Sequence, residues 1–247
     1  SSDLEALKGL QAQADESRER IEADMEIQEA RAASLGEDIA VLMRPRPQPA
    51  AAAAVAGAQP TGEFDAFTVV SDYVFRDSMS MTAEDIQAFL NRQPGTLKNY
   101  RAADHAGQVK SAAEMVAEAA QAWDVNPKVI LAKLQKEQSL LARPNPTQQA
   151  YDWAMGCGKT DSRTIYKYQG FGKQVWFGAA TLDKNAKRWK PGVTLTITGN
   201  QVTPTNASTY SLYKYTPHIA GTMSFWMLYW RYFGDPLAGR PVVTPSP

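Results

Sequence analysis

The stretch from residue 44 to 60 most limits what this chain can fold into, because it cannot enter a packed core. It reads Arg44-Pro-Arg-Pro-Gln-Pro49, then alanines 50 to 54, then Ala56-Gly57-Ala58-Gln-Pro60. Alternating proline fixes φ, removes backbone donors and keeps the chain stiff and extended. The Ala/Gly part that follows has almost nothing to bury. Residues 44–63 are therefore read as a linker. It separates an N-terminal segment, 1–43, from a globular domain over 64–235, and residues 236–247 read as a Pro-rich tail.

The N-terminal segment is charged and helix-forming. Leu4, Leu7, Leu10 and Ala14 sit at helical spacing, as do Leu35, Ile39 and Leu42, but Asp15 to Arg20 carries only charges and Ser17. Such a broken stripe fits a long helix, either a weak coiled-coil stalk or a solvated helix. Across the whole chain 26 basic residues balance 26 acidic ones, so no global positive field points to nucleic acid. Cys157 is the one cysteine, which excludes an internal disulfide. With His105 and His218 far apart in sequence, the chain offers little for a dedicated zinc site, and no metal or cofactor is expected. No apolar run is long enough to span a bilayer. The opening residues Ser1-Ser2-Asp3-Leu4-Glu5 do not read as a signal peptide.

The globular part is punctuated into short helices. Thr82-Ala-Glu-Asp85 is a capping box opening a helix through Asn91, which Pro94-Gly95 ends. Ser111-Ala-Ala-Glu114 is a second, with Met115, Val116, Ala119 and Trp123 on the buried face. Asn126-Pro127 places Asn at an N-cap and Pro at N1, and Arg143-Pro-Asn-Pro146 is expected to stop that helix. A Gly-punctuated segment follows, Met155-Gly-Cys-Gly-Lys-Thr-Asp161. Residues 171–189 read as a helix, and Val193 to Val202 as a small β-hairpin turning at Gly199-Asn200. Asn206 caps a short Tyr-bearing helix. The aromatic run from Thr222 to Phe233 reads as a C-terminal helix that seals the core.

Within this pattern Glu137 is out of place. Ile130, Leu134 and Leu141 form an apolar stripe, and Glu137 occupies its missing position. A carboxylate where a leucine belongs is costly unless paired or protonated. Burial and the negative end of the helix dipole both push its pKa up, as a general acid at neutral pH requires. The alternative is structural: Lys133, four residues earlier, can pair with it, or Glu137 can mark the edge of the stripe.

The order of elements carries a resemblance. It runs from a helix ending in Glu137-Gln138-Ser139, through Ala154-Met155-Gly156 and a helix with Gly178-Ala179-Ala180-x-Leu182, to Tyr210-x-x-Tyr213-x-Tyr215. This resembles the lysozyme-like superfamily, in particular soluble lytic transglycosylases and goose-type lysozymes, over roughly residues 66–235. The resemblance implies a mainly α, lysozyme-like domain that cleaves the β-1,4 bond between N-acetylmuramic acid and N-acetylglucosamine in bacterial peptidoglycan. Glu137 matches the proton donor. Gln138, Met155, Gly156, Tyr213 and Tyr215 match substrate-contacting positions, with Tyr213 taken as the family's motif tyrosine. The Gly and Tyr motifs depart from the usual Gly-Leu-Met-Gln and Ala-Tyr-Asn-Ala-Gly.

Glycosidic cleavage needs an acid at the leaving oxygen and stabilisation of a positive sugar carbon. Asp161 is the candidate second carboxylate of a hydrolase, and turn formation is its other reading. Without a second carboxylate, one Glu serving as acid and then base fits a transglycosylase. The expected partner is the glycan strand, in a secreted, wall-associated or virion-associated setting. The N-terminal helix is expected to tether or oligomerise the chain. Two other classes remain open: a catalytically silent glycan-binding module, and an oligomeric adaptor whose working part is the stalk.

Overall fold

The computed structural model describes residues 60, 62–160 and 163–238. The expected stalk over 1–43, nearly all of the linker, Asp161 and most of the tail lie outside the described residues. The described part is mainly helical, with small antiparallel strand pairs.

The helix starts follow the capping residues. Helix α1 spans Asp72–Arg76 and opens with the Ser71 hydroxyl accepting from Val74 N–H at 3.1 Å. Helix α2, Ala83–Asn91, has the reciprocal Thr82/Asp85 capping box, with bonds of 3.2 and 3.0 Å. The Ser111/Glu114 box opens α3, Ala112–Trp123. Asn126 opens α4, Pro127–Gln138, accepting from Lys128 N–H at 2.8 Å. Its amide also donates to the Val74 carbonyl at 2.7 Å, which ties the start of α4 to α1.

Helix α4 ends earlier than its prolines suggest. Ser139, not Pro144, stops it, at φ 55° in the left-handed region. The Gln135 side chain closes the end by accepting from the N–H groups of Leu141 and Ala142, at 2.9 and 3.1 Å. Leu141 is fully buried, but it joins the core from the loop and not from the helix stripe.

A hairpin absent from the sequence reading joins α2 to α3. Its strands are β1, Arg101–Ala103, and β2, Val109–Ser111, with Ala102 opposite Lys110. Three-residue strands with no apolar alternation give no period-2 signal. The turn is instead held by Asp104, whose Oδ1 accepts from the N–H groups of Ala106 and Gln108. After the short helix α5, Gln148–Asp152, comes a two-residue pair, β3 Lys159–Thr160 with β4 Arg163–Thr164. Helix α6, Phe171–Ala186, leads into the expected hairpin of β5, Leu195–Ile197, and β6, Asn200–Val202. Helices α7, Ala207–Tyr215, and α8, Ile219–Phe233, complete the domain.

Helix α4 is the central element. Val129, Ile130, Leu131, Ala132 and Leu134 are all fully buried, so most of its girth is enclosed. It packs against α8 and α3, while α6 packs against α3 and α7. Burial of each large aliphatic side chain here contributes about 1.5–3 kcal/mol. Phe225, Trp226 and Tyr229 of α8 are buried, and the helix gathers Phe64 and Phe89 edge-on or tilted against Trp226 and Phe233. Among the described residues no helix is long and apolar enough to cross a membrane.

The end of α4 leaves no room for a side chain on the loop after α2. A Cβ on Gly95 would stand 2.6 Å from the backbone oxygens of Leu140 and Leu141, and Gly95 N–H donates to the Leu141 carbonyl at 3.0 Å. Gly95→Ala must therefore shift the backbone that terminates α4. A loss of about 1–3 kcal/mol is expected. That corresponds to a fall of about 2–12 °C in thermal midpoint for a domain of this size, readable by calorimetry. An unchanged midpoint would contradict the close approach.

Candidate functional site

Glu137 sits in the last turn of α4, with its side chain 12% exposed. Its Oε1 accepts from two ammonium groups, Lys133 Nζ at 2.8 Å and Lys136 Nζ at 2.9 Å. Both lysines are themselves enclosed, at 1% and 8% side-chain exposure. Lys133 also donates to Thr216 Oγ1 at 3.0 Å, and its ammonium lies 4.2 Å from the centre of the Tyr215 ring. Lys136 runs beside Gly221 of α8, where an added Cβ would be 3.6 Å from its Nζ. Among the described residues, every hydrogen bond to Glu137 falls on Oε1.

This pairing reverses the expected titration. Burial pushes the Glu137 carboxyl up, but the ammonium groups of Lys133 and Lys136 outweigh it and hold the pKa down to about 2. Burial also lowers Lys133 to about 8, against the pull of the Glu137 carboxylate. In this arrangement Glu137 is a carboxylate at neutral pH, not the protonated acid expected from an apolar stripe. The Lys133 pair was readable at spacing i,i+4. Lys136 was not, because adjacent helical residues do not face each other; its long stem lets the ammonium return to Oε1.

The Gly-rich segment is held against Glu137 by a residue that the motifs did not indicate. Gln174 of α6 is fully buried. Its Oε1 accepts from the N–H groups of Met155 and Cys157 at 3.2 and 3.0 Å. Its Nε2 donates to the carbonyls of Cys157 and Tyr168, both at 2.8 Å. All this bonding falls on one amide, so Gln174 fixes the loop as a backbone strand would. Its sequence signal was a polar residue three positions after Phe171 on the buried face of α6.

Gly156 adopts φ 68° and turns its missing side chain toward the carboxylate. A Cβ there would stand 3.4 Å from Glu137 Oε2. The Tyr215 hydroxyl donates to the Met155 carbonyl at 2.9 Å. Gly178 of α6 makes room for both: its Cβ would fall 2.6 Å from Met155 Sδ and 3.2 Å from the Tyr215 oxygen. Burial raises the Tyr215 phenol well above 10, with the neighbouring Cys157 thiol and Glu137 carboxylate acting the same way. It therefore stays a neutral donor. Cys157 is buried, its thiol also pushed up by burial, and its sulfur lies 3.8 Å from Thr181 Oγ1. It is an inert packing residue by this measure.

Glu137, Met155, Gly156 and Tyr215 thus share one site. Gln138 lies at its edge, its amide donating to the Trp153 carbonyl at 3.4 Å. Tyr213 does not belong to it. That side chain is fully buried, its hydroxyl has no hydrogen-bond partner among the described residues, and burial with nearby Asp65 raises it to about 12. Two residues along a helix turn the side chain by about 200°, so Tyr213 and Tyr215 must face apart. The tyrosine at Glu137 is Tyr215. Asp161 lies outside the described residues. Nearby, Trp153 is buried; elsewhere on α6, Trp176 stacks with His105 at 3.5 Å between ring centres.

Chemically, the site offers an ionised carboxylate with one oxygen saturated by cations and the other directed at Gly156. It can accept hydrogen bonds from hydroxyl or amide groups, but it does not release a proton near neutrality while both lysines stay in place. Among the described residues no three His, Cys, Asp or Glu side chains gather as metal ligands.

No curated protein and no solved structure matches the chain. The family model described as LasA, N-terminal domain, matches residues 69–244, which include every element from α1 to α8. That match covers well over half of the 247 residues, and the chain belongs to the LasA N-terminal domain family.

Proposed function

We propose that this domain is a lysozyme-like module that engages the glycan strands of bacterial peptidoglycan where Glu137 reaches the surface, and that cleavage of the MurNAc–GlcNAc β-1,4 bond is the chemistry the site serves. The observation that carries the reading is the convergence of Glu137, Met155, Gly156 and Tyr215 on one point. Those residues come from three of the four segments that carry the resemblance to lytic transglycosylases and goose-type lysozymes.

Glu137 is the group that would protonate the glycosidic oxygen. It can do so only after losing ammonium contact, because the lysines are what keep it ionised. A sugar that displaces Lys136 removes one of the two cations that oppose burial, and the carboxyl then rises toward the range of a working acid. Among the described residues the charges acting on Glu137 are those of Lys133 and Lys136. Asp161, the candidate second carboxylate, lies outside the described residues, so the products released are what separate a single-Glu transglycosylase from a two-carboxylate hydrolase. The resting ion triad favours a second reading, a silent glycan-binding module that keeps the site and lacks turnover. In either case the domain works in the wall, from a secreted or virion-borne chain, with residues 1–43 as tether or oligomerising stalk.

The test incubates the full chain and its Glu137→Gln variant with purified peptidoglycan and identifies released muropeptides by mass spectrometry. Anhydro ends released by the wild type alone support the transglycosylase, and reducing ends support a hydrolase. Sedimentation with sacculi without release supports the silent module. Neither binding nor release across several wall types would remove peptidoglycan from consideration.

A further inference from the structure

Beyond Glu137, an exposed aromatic side chain stands outside the hydrophobic core. Tyr166 is 72% exposed, in a short 3-10 turn over Tyr166–Tyr168. A tyrosine ring left in water forgoes the burial that usually stabilises such a side chain. Four other large apolar side chains are comparably exposed: Phe67, Tyr73, Met79 and Val109. Tyr166 differs in where its segment is tied. Ile165 N–H donates to the Gly158 carbonyl at 2.8 Å, which fixes the turn to the same Gly-rich loop that faces Glu137.

Trp153 links the two places. Its ring lies edge-on to Tyr166, with centres 6.2 Å apart. Its carbonyl accepts from Gly156 N–H at 2.9 Å and from the Gln138 amide at 3.4 Å. The exposed Lys159 carries its ammonium 5.9 Å from the centre of the Trp153 ring. An exposed aromatic ring and an exposed cation therefore flank one buried indole, whose carbonyl is bonded to Gly156, which faces the Glu137 carboxylate, and to Gln138, which follows Glu137 in sequence. Among the described residues no carboxylate pairs with Lys159.

We infer that Tyr166 and Lys159 form a second contact for the strand: Tyr166 stacks on the apolar face of a pyranose ring, and Lys159 meets a carboxylate of the peptide carried by an adjacent muramyl unit. The chemistry of the pair selects this ligand. A hexopyranose presents axial C–H groups that suit an aromatic face, and only a glycan bearing acidic substituents uses the ammonium as well. A plain neutral glycan would engage Tyr166 alone. The inference rests on the reading of Glu137 as the point of glycan contact, and it adds what that reading lacks: a reason to prefer peptide-substituted strands.

The experiment measures binding of the full chain to two probes, soluble peptide-bearing glycan strands and N-acetylchitotetraose, by titration calorimetry. Tyr166→Ala is expected to weaken both about tenfold, and Tyr166→Phe to bind both as the wild type does. Lys159→Ala is expected to weaken the peptide-bearing strands about threefold and leave the chito-oligosaccharide unchanged. Tyr73→Ala, at another exposed tyrosine, is the control and leaves both unchanged. All three positions are exposed, and circular dichroism spectra verify that the variants fold. If the wild type binds and Tyr166→Ala and Lys159→Ala bind equally well, the second contact is wrong while the Glu137 reading survives. If the wild type binds neither probe, the Glu137 reading fails and takes this inference with it.

Discussion

Glu137→Gln is expected to destabilise the domain by about 3 kcal/mol or more near pH 7, a fall of roughly 6–12 °C in thermal midpoint. The reason is the number of charges involved. One carboxylate oxygen receives two enclosed ammonium groups, at 2.8 and 2.9 Å. The neutral amide keeps the shape but leaves two like charges buried with no counter-ion. Breaking a buried pair from one side costs far more than removing the whole pair. The Gln variant alone is therefore an ambiguous probe of catalysis, since lost activity can report lost fold. The double variant Lys133→Met/Glu137→Gln removes the more enclosed ammonium and is expected to recover most of the stability. Equilibrium urea unfolding of the wild type, the single variant and the double variant measures this directly. A single variant as stable as wild type would mean that the triad does not hold in solution.

The pH dependence of that loss is also specified. Lys133 titrates at about 8 when folded, so at higher pH it relieves the excess charge itself. The penalty of Glu137→Gln should shrink between pH 7 and pH 9. A cavity or packing defect would show no such dependence.

How far the sequence reaches can be judged from particular residues. The helix starts at Thr82, Ser111 and Asn126 were legible because capping is local chemistry: a side-chain oxygen and an orphan N–H two or three residues on. The end of α4 was not, because Ser139 takes its left-handed turn with Gln135 bonding the turn beyond, and prolines downstream drew the boundary too far. Glu137 was legible as an anomaly, and so was its i,i+4 partner. Its charge state was not, since that depended on Lys136 folding back under Gly221 of a helix more than 80 residues away. The Gly-rich segment was legible as a loop, while the residue that positions it, Gln174, looked like any polar residue on a helix. Tyr215 and Tyr213 show the same limit: both fit a motif, and only the rotation of α7 decides which one meets the site.

Lys136→Met carries the second large effect, because it removes one of the two cations that oppose burial at Glu137. Burial is the largest influence on that carboxyl and pushes it upward, and the lysines reverse it. In the wild type the folded pKa of about 2 lies below the ordinary 4.5, so the ion pairs contribute stability that is fully present above about pH 4.5 and is lost as pH falls toward 2. The change over that window is on the order of 3 kcal/mol. Lys133 acts in a separate window. Its folded pKa of about 8 lies below the ordinary 10.5, so the unfolded chain binds the extra proton and stability rises with pH between those values. Removing the Lys136 ammonium leaves Glu137 with one cation and most of its burial, and its pKa should climb by at least one unit. The acid limb of the stability profile then moves to higher pH by the same amount, while the Lys133 limb stays on the alkaline side. Carbon-13 NMR of the Glu137 carboxyl reads the shift, and chemical unfolding from pH 2 to 10 reads its consequence. The same variant bears on the proposed chemistry. If Lys136 must leave for Glu137 to donate a proton, Lys136→Met should release more muropeptide near pH 5 than the wild type does. A raised carboxyl pKa with no gain in release would separate the electrostatics, which would stand, from the cleavage reading, which would not.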